Sequence, residues 1–208
     1  VDAGIEAGQE ISPFYDPMIA KIITYGETRE VARKLMVDVL RETALFGVRT
    51  NRDFLIACLE NDRFADGVFS TAFIAEEFGA AGFSEPRPTP HDLAVLGVRH
   101  YLLDRGAAME KSLNVPDALL GFTANEELYT SYLLACGEET YRVIVRGQKD
   151  GSFVVTVDDE TLSVAVRRSA GARVEMLVDD RTLASTAHLS GDTLYALVGG
   201  RGLTLSLI

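Results

Sequence analysis

Apolar residues change their spacing twice along the chain. The run Met18–Tyr25 (MIAKIITY) is short, apolar and β-branched, with Pro17 before it and Gly26 after; this is the pattern of a largely buried strand. Thr28 then offers an N-cap, and up to about Thr43 the apolar positions Ala32, Leu35, Met36, Val39 and Leu40 make one face of a helix. Gly47 marks its end, Gly47–Arg49 has room for a brief strand, and Asn51 can cap a second helix carrying Phe54, Leu55, Cys58 and Leu59. A third, short helix is predicted from Ser70 or Thr71 to Phe78.

Between Gly79 and Pro90 the stretch GAAGFSEPRPTP collects Gly, Ser and Pro, a composition that connects units more often than it forms them. Beyond it, Thr89 at an N-cap, Pro90 at the first helical position and Asp92 completing a capping box predict a helix to about Arg105, before Gly106. Leu93, Val95, Leu96, Val98, Tyr101, Leu102 and Leu103 point in most directions around its axis. A helix apolar nearly all round needs to be enclosed. From Leu128 the period becomes two: Phe153, Val155 and Val157; Leu162, Val164 and Val166; Val174, Met176 and Val178; Leu194, Ala196 and Val198; Leu203, Leu205 and Leu207. Turn pairs such as Asp158-Asp159, Asp179-Asp180 and Gly199-Gly200 separate them. Short strands at this spacing form an antiparallel meander, and one that must cover an apolar helix is expected to curl into a barrel around it.

Composition agrees with two modest units. The chain has 208 residues, 47% of them hydrophobic and 25% charged, enough to bury a core and unlike a disordered tail. With 31 Asp and Glu against 20 Lys and Arg the net charge is −11, which argues against nucleic acid as a partner, because phosphate neutralisation needs a concentrated basic face. No apolar run approaches the ~20 residues of a membrane span. Cys58 and Cys136 lie far apart and suggest neither a metal cluster nor a disulfide framework. The chain starts at Val1 without an initiator methionine and stops at Ile208 inside an alternating pattern, so a piece of something longer is expected.

Candidate chemistry is sparse. His188, Ser190 and Asp192 straddle a predicted hairpin turn, where Ser, Gly and Asp serve the backbone, whereas triads are assembled by spatial geometry. Gly199–Gly202 (GGRG) precedes a strand and not a helix, so a hairpin loop fits better than a phosphate loop. His91, His100 and His188 share no ligand spacing, and His100 on its apolar helix is expected to be a packed residue with one satisfied nitrogen. Glu76-Glu77 reads as a solvated face. No catalytic, cofactor-binding or metal-binding residue is assigned. A chain with clean folding units and no reactive cluster is expected to position other parts.

The stretch Ile11–Gly26 (ISPFYDPMIAKIITYG), the G-E-x-R helix entry at Gly26–Arg29, Phe46–Phe54 (FGVRTNRDF) and the F-S-T-A-F-I segment ending at Ile74 strongly resemble, in order and spacing, the carboxy-terminal end of biotin carboxylase. The resemblance is to the alpha subunits of biotin-dependent acyl-CoA carboxylases of the 3-methylcrotonyl-, geranyl- or propionyl-CoA type. It implies an α+β chain: residues 1–78 the C-terminal α/β part of an ATP-grasp biotin carboxylase, 79–89 a linker, and 90–208 a BT domain, an antiparallel β-barrel wrapped around a central helix. Leu120–Asn125 (LGFTAN) looks like the lead into that domain's first strand, and Thr193–Ile208 like its last hairpin.

Full-length relatives are then expected to use ATP, bicarbonate, Mg or Mn and biotin to carboxylate an acyl-CoA. Their phosphate loop, metal carboxylates and biotin-accepting lysine are not matched here. Lys34 and Lys111 lack the Met-Lys-Met context, so no cofactor is assigned to this chain and it is expected to be inert alone. The expected partners are the carboxyltransferase beta subunit and the biotin carboxylase of the same or another alpha subunit. The expected compartment is the cytoplasm of a bacterium or the mitochondrial matrix of a eukaryote.

Apolar Leu113, Val115, Leu119, Leu120 and Phe122 lie within Met109–Asn125, which Pro116 and Gly121 keep from forming a regular helix face. They are candidates for a partner's pocket and coincide with the family's protruding hook; packing under their own barrel is the other reading. Asp16 opens an Asp-Pro turn or, in the family's terms, lies near the dimer contact of biotin carboxylase. Lys21 is an edge residue reaching outward or a buried charge with a partner. A reading of another class is a barrel holding an apolar small molecule; Leu93, Leu96 and Leu103 inside the barrel would leave it no room.

Overall fold

A computed structural model describes residues 1–12, 14, 16–79, 82–111 and 129–208, apart from the side chains of 108–111. It divides into two compact units, Val1–Thr43 with Asn51–Phe83, and Ala44–Thr50 with Ser84–Ile208.

The first unit is mainly helical. Its α1 (Arg29–Glu42) begins where expected, with Thr28 Oγ1 accepting from Val31 N, and ends with the Thr43 N–H donating to Leu40 O. Helix α2 (Arg52–Glu60) follows Asn51, whose side chain makes no capping bond, but Asn61 does cap the next short turn, α3 (Asp62–Ala65). Helix α4 covers Phe73–Phe78. Val37 and Leu40 of α1 and Ile56 of α2 form a buried core, and the unit also holds aromatic contacts in which Phe54 meets Phe78 at 5.1 Å and Phe64 stacks on Phe69 at 4.9 Å. The Arg29 guanidinium sits 5.0 Å from the Phe64 ring centre and donates to the Phe64 carbonyl at 2.7 Å. Buried Arg52 donates to the Thr43 carbonyl at 3.3 Å and to Asp53 Oδ1 at 2.5 Å, bracing the end of α1.

The strand expected over Met18–Tyr25 contracts to β2 (Ala20–Lys21), paired with β1 (Asp2–Ala3) in an antiparallel ladder of two residue pairs. The physical reason is a missing support: an apolar strand needs neighbours on both faces, and here Met18, Ile23 and Tyr25 are 61%, 70% and 86% exposed. Lys21 is exposed, which settles it as an outward edge residue. The brief strand expected at Gly47–Arg49 is a bend instead.

The second unit is the expected barrel on a helix. Eight antiparallel strands follow in sequence: β3 (Tyr129–Cys136), β4 (Glu139–Gly147), β5 (Phe153–Val157), β6 (Glu160–Ala170), β7 (Arg173–Val178), β8 (Arg181–Ser190), β9 (Thr193–Val198) and β10 (Arg201–Leu207). Each pairs with the next, and β10 closes the ring on β3 through Ser206↔Ala135 and Leu207↔Leu134. Inward positions alternate as the sequence requires, with Val143, Val155, Val164, Met176, Leu194 and Leu205 fully buried. The turns at one end share a form. Each has two residues, and the first has a positive φ: Gly137 at 61°, Asp158 at 49°, Asp179 at 50° and Gly199 at 55°.

Helix α5 (Pro90–Lys111) runs inside the barrel, touching β4 through β9. Every residue from Asp92 to His100 is buried, as an all-round apolar helix demands. Thr89 and Asp92 form the capping box: Asp92 Oδ2 accepts from Thr89 N and Oγ1 at 2.8 and 2.7 Å, while Asp92 N donates to Thr89 Oγ1 at 3.3 Å. The Asp92 carboxylate is wholly buried, and Arg201 at the start of β10 balances its charge at 2.7 Å. Gly97 lets the helix lie against β4, because a Cβ there would stand 2.5 Å from Val143 Cγ1. The helix passes Gly106, where it was expected to stop. A glycine ends a helix by taking a left-handed C-cap conformation, and Gly106 is not among the glycines with positive φ.

Candidate partner-docking site

The segment Met109–Asn125 overlaps the last residues of α5, beyond the mouth through which that helix leaves the barrel. Asp92 and Arg201 put the helix N-terminus at the end with the two-residue turns Gly199-Gly200 and Asp179-Asp180. Arg99 Nη2 donates to Ala172 O at 3.2 Å, which puts the exit at the opposite end, beside the β6–β7 turn. Tyr101 meets Phe153 of β5 edge-on at 5.7 Å. His100 packs edge-on against Tyr132 of β3, ring centres 4.5 Å apart.

One carboxylate joins two of these groups. Asp104 Oδ2 accepts from Tyr132 Oη at 3.3 Å and lies 3.4 Å from His100 Nε2. Burial pushes the His100 imidazole below its ordinary value, against the opposing pull of Asp104. Burial, together with the nearby Asp104 charge, pushes the Tyr132 phenol up. At neutral pH the cluster is therefore a neutral imidazole and a neutral phenol sharing one half-exposed carboxylate. Burial also lowers the Arg99 guanidinium. These directions describe fixed structural donors; among the described residues no group of three His, Cys, Asp or Glu is placed to hold a metal ion.

The nominated residues fall as follows. Leu113, Val115, Leu119, Leu120 and Phe122 lie outside the described residues. Asp16 is exposed and its Oδ1 accepts from Met18 N at 2.8 Å, the geometry of an Asx turn. His188 and Ser190 are exposed on β8, and Asp192 is in the two-residue turn that follows. Gly199 and Gly200 form the β9–β10 turn, and Arg201 turns inward to Asp92. His100 behaves as a packed residue, with Nδ1 unpartnered among the described residues. The barrel interior is occupied: Leu93 and Leu96 are buried within it and Leu103 is half-buried at the mouth, which removes the space that the small-molecule reading required.

Sequence reasoning missed Asp104, Tyr132 and Arg99. The one available signal was the i,i+4 spacing of His100 and Asp104, which places both on one helix face.

Comparison with known proteins finds similarity over the N-terminal part of the chain. Residues 1–76 match the biotin carboxylase C-terminal domain family. This part of the chain is similar to a biotin carboxylase C-terminal domain, and the chain is similar to acyl-CoA carboxylase alpha subunits. The mitochondrial propionyl-CoA carboxylase alpha chain of Homo sapiens is 44% identical over 78 residues, covering 38% of this chain and 11% of the human protein. Biotin carboxylase 1 of Bacillus subtilis is 42% identical over 74 residues, 36% of this chain and 16% of that protein. The propionyl-CoA carboxylase alpha chain of Ruegeria pomeroyi is 31% identical over 155 residues, 74% of this chain and 22% of its own length. A match that long cannot be confined to the biotin carboxylase domain, so kinship to the alpha chain reaches into the barrel unit. The chain spans between 11% and 22% of the length of these relatives.

Proposed function

We propose that this chain is the coupling part of a biotin-dependent acyl-CoA carboxylase alpha subunit. In this reading residues 1–78 complete biotin carboxylase, and 90–208, after a linker at 79–89, form a BT domain that docks on the carboxyltransferase beta subunit. The observation that carries it is the closed barrel filled by its own helix, in a chain whose kinship to an alpha chain extends past the biotin carboxylase domain. A filled barrel offers surface and not a cavity, which suits a docking module. Leu113, Val115, Leu119, Leu120 and Phe122 supply the apolar anchors, since a few buried large side chains carry most of an interface's energy. Asp16 lies at the contact between biotin carboxylase domains.

The chain itself performs no chemistry in this reading. The whole subunit binds ATP, a divalent Mg or Mn ion and biotin, and works in the bacterial cytoplasm or the mitochondrial matrix. Titration calorimetry of the 208-residue chain against its carboxyltransferase beta subunit tests the docking. Saturable binding is expected, and the Leu120→Ala, Phe122→Ala double variant is expected to weaken it at least tenfold. A folded chain that shows no binding overturns the reading; unchanged affinity of the variant removes the anchor assignment.

A further inference from the structure

The contacts at the barrel mouth are concentrated within little more than one helical turn. Arg99 reaches the β6–β7 turn, Tyr101 meets β5, and Asp104 takes the hydroxyl of Tyr132 on β3 beside His100. Three sides of the barrel therefore grip α5 at one level. Exposure changes at the same level: His100 is buried, Tyr101 to Leu103 are half-buried, and Asp104 to Ala107 are exposed. Helix residues Arg105–Lys111 continue beyond the grip, an overhang of about 10 Å at the α-helical rise.

The buried Asp92–Arg201 pair holds the start of the helix and Gly97 seats it on β4, both below the mouth. Deeper in the barrel it is an apolar cylinder against valines and leucines, and apolar contact is non-directional. Hydrogen bonds and ring-edge contacts have preferred angles. Arg99 and His100 are also expensive residues for this place, each with a buried nitrogen lacking a partner among the described residues. Their remaining polar atoms make angle-dependent contacts that an apolar side chain would lack.

We propose that Arg99, His100, Tyr101, Asp104 and Tyr132 form a collar that aims the overhang of α5, acting as positioning residues for the docking of the beta subunit by the sequence after Lys111. The inference rests on the docking reading above but concerns residues that themselves touch no partner. Tilting a 10 Å overhang by about 15° displaces its tip by nearly 3 Å, roughly two helical residue rises, too much for an interface core packed like a protein interior.

The test is a double-mutant cycle on the whole chain, reading both affinity for the beta subunit and thermal midpoint. Asp104 is half-exposed and Tyr132→Phe keeps the ring, so Asp104→Ala and Tyr132→Phe leave the barrel core filled. Each is expected to weaken binding about fivefold, and the double variant no further than Asp104→Ala alone, because Asp104→Ala already removes the contact that Tyr132→Phe removes. The midpoint should stay within about 3 °C. Unchanged affinity in the single variants overturns the collar, as do losses that multiply in the double variant or that follow a falling midpoint. If the unmodified chain fails to bind, the docking reading falls and takes the collar with it.

Discussion

Asp158 and Asp179 show how much a single position can carry. Both have left-handed φ, which costs most L-residues about 1–2 kcal/mol. Each offsets this by extending the neighbouring ladder: Asp179 N donates to Ser163 O at 2.9 Å while its Oδ1 accepts from Ser163 N at 2.9 Å, and Asp158 does the same with Arg142. Asp179→Ala should therefore lose about 1–2 kcal/mol, and Asp179→Gly, which relieves the backbone but not the lost bond, clearly less. The chain has no Trp, so urea unfolding followed by far-UV circular dichroism makes the measurement. His100 carries a pH prediction. Its folded-state value is depressed by burial, so the folded chain resists a proton that the unfolded chain accepts from about pH 6.5 downward. The stability its neutral form provides is complete above that pH and drains away as pH falls toward the folded value. Urea midpoints measured from pH 7.5 to 5.5 should fall, and His100→Gln should flatten that part of the slope.

At the scale of elements, helix α5 lies tightly against β4 at Gly97. Alanine normally favours a helix interior by about 1 kcal/mol over glycine. Here its Cβ would meet Val143 Cγ1 at 2.5 Å and Val145 Cγ2 at 3.2 Å, and overpacking of this kind costs about 1–3 kcal/mol. Gly97→Ala should destabilise the barrel, and Val143→Ala in the same chain should recover part of the loss; a thermal-denaturation cycle over the four proteins reads the coupling. The same helix marks what was legible beforehand. Its cap, enclosure and all-round burial follow from Thr89, Asp92 and seven apolar positions, and the barrel follows from strict alternation on β5, β7, β9 and β10. Strand β8 did not declare itself, because two of its inward positions are Ser185 and Ala187, small residues that weaken the apolar signal; the Ser185 hydroxyl bonds Val174 O at 3.2 Å instead. The strand at Met18–Tyr25 misled for the opposite reason: local pattern was present and supporting partners were not. Arg201 and Tyr132 left no trace at all, since pairs distant in sequence, such as Arg201 with Asp92, are invisible to spacing.

For the whole molecule, the two units are unequal. The first closes a small core on Val37, Leu40 and Ile56 and buries Phe73 among other phenyl rings, while Phe14, Met18, Ile23 and Tyr25 stay exposed; the barrel unit buries a continuous interior around α5. Scanning calorimetry should resolve two transitions, the first unit melting below the barrel, with an apolar dye binding before the first of them. One merged transition would show that the units unfold as one. The β10–β3 seam also sets a clock. Helix α5 is synthesised before every strand that shelters it, yet the ring cannot shut until β10 meets β3, its first strand and the one farthest from it in sequence. Folding that waits on so remote a partner is slow, and through that interval nine consecutive residues destined for the interior, Asp92 to His100, must be kept from other company.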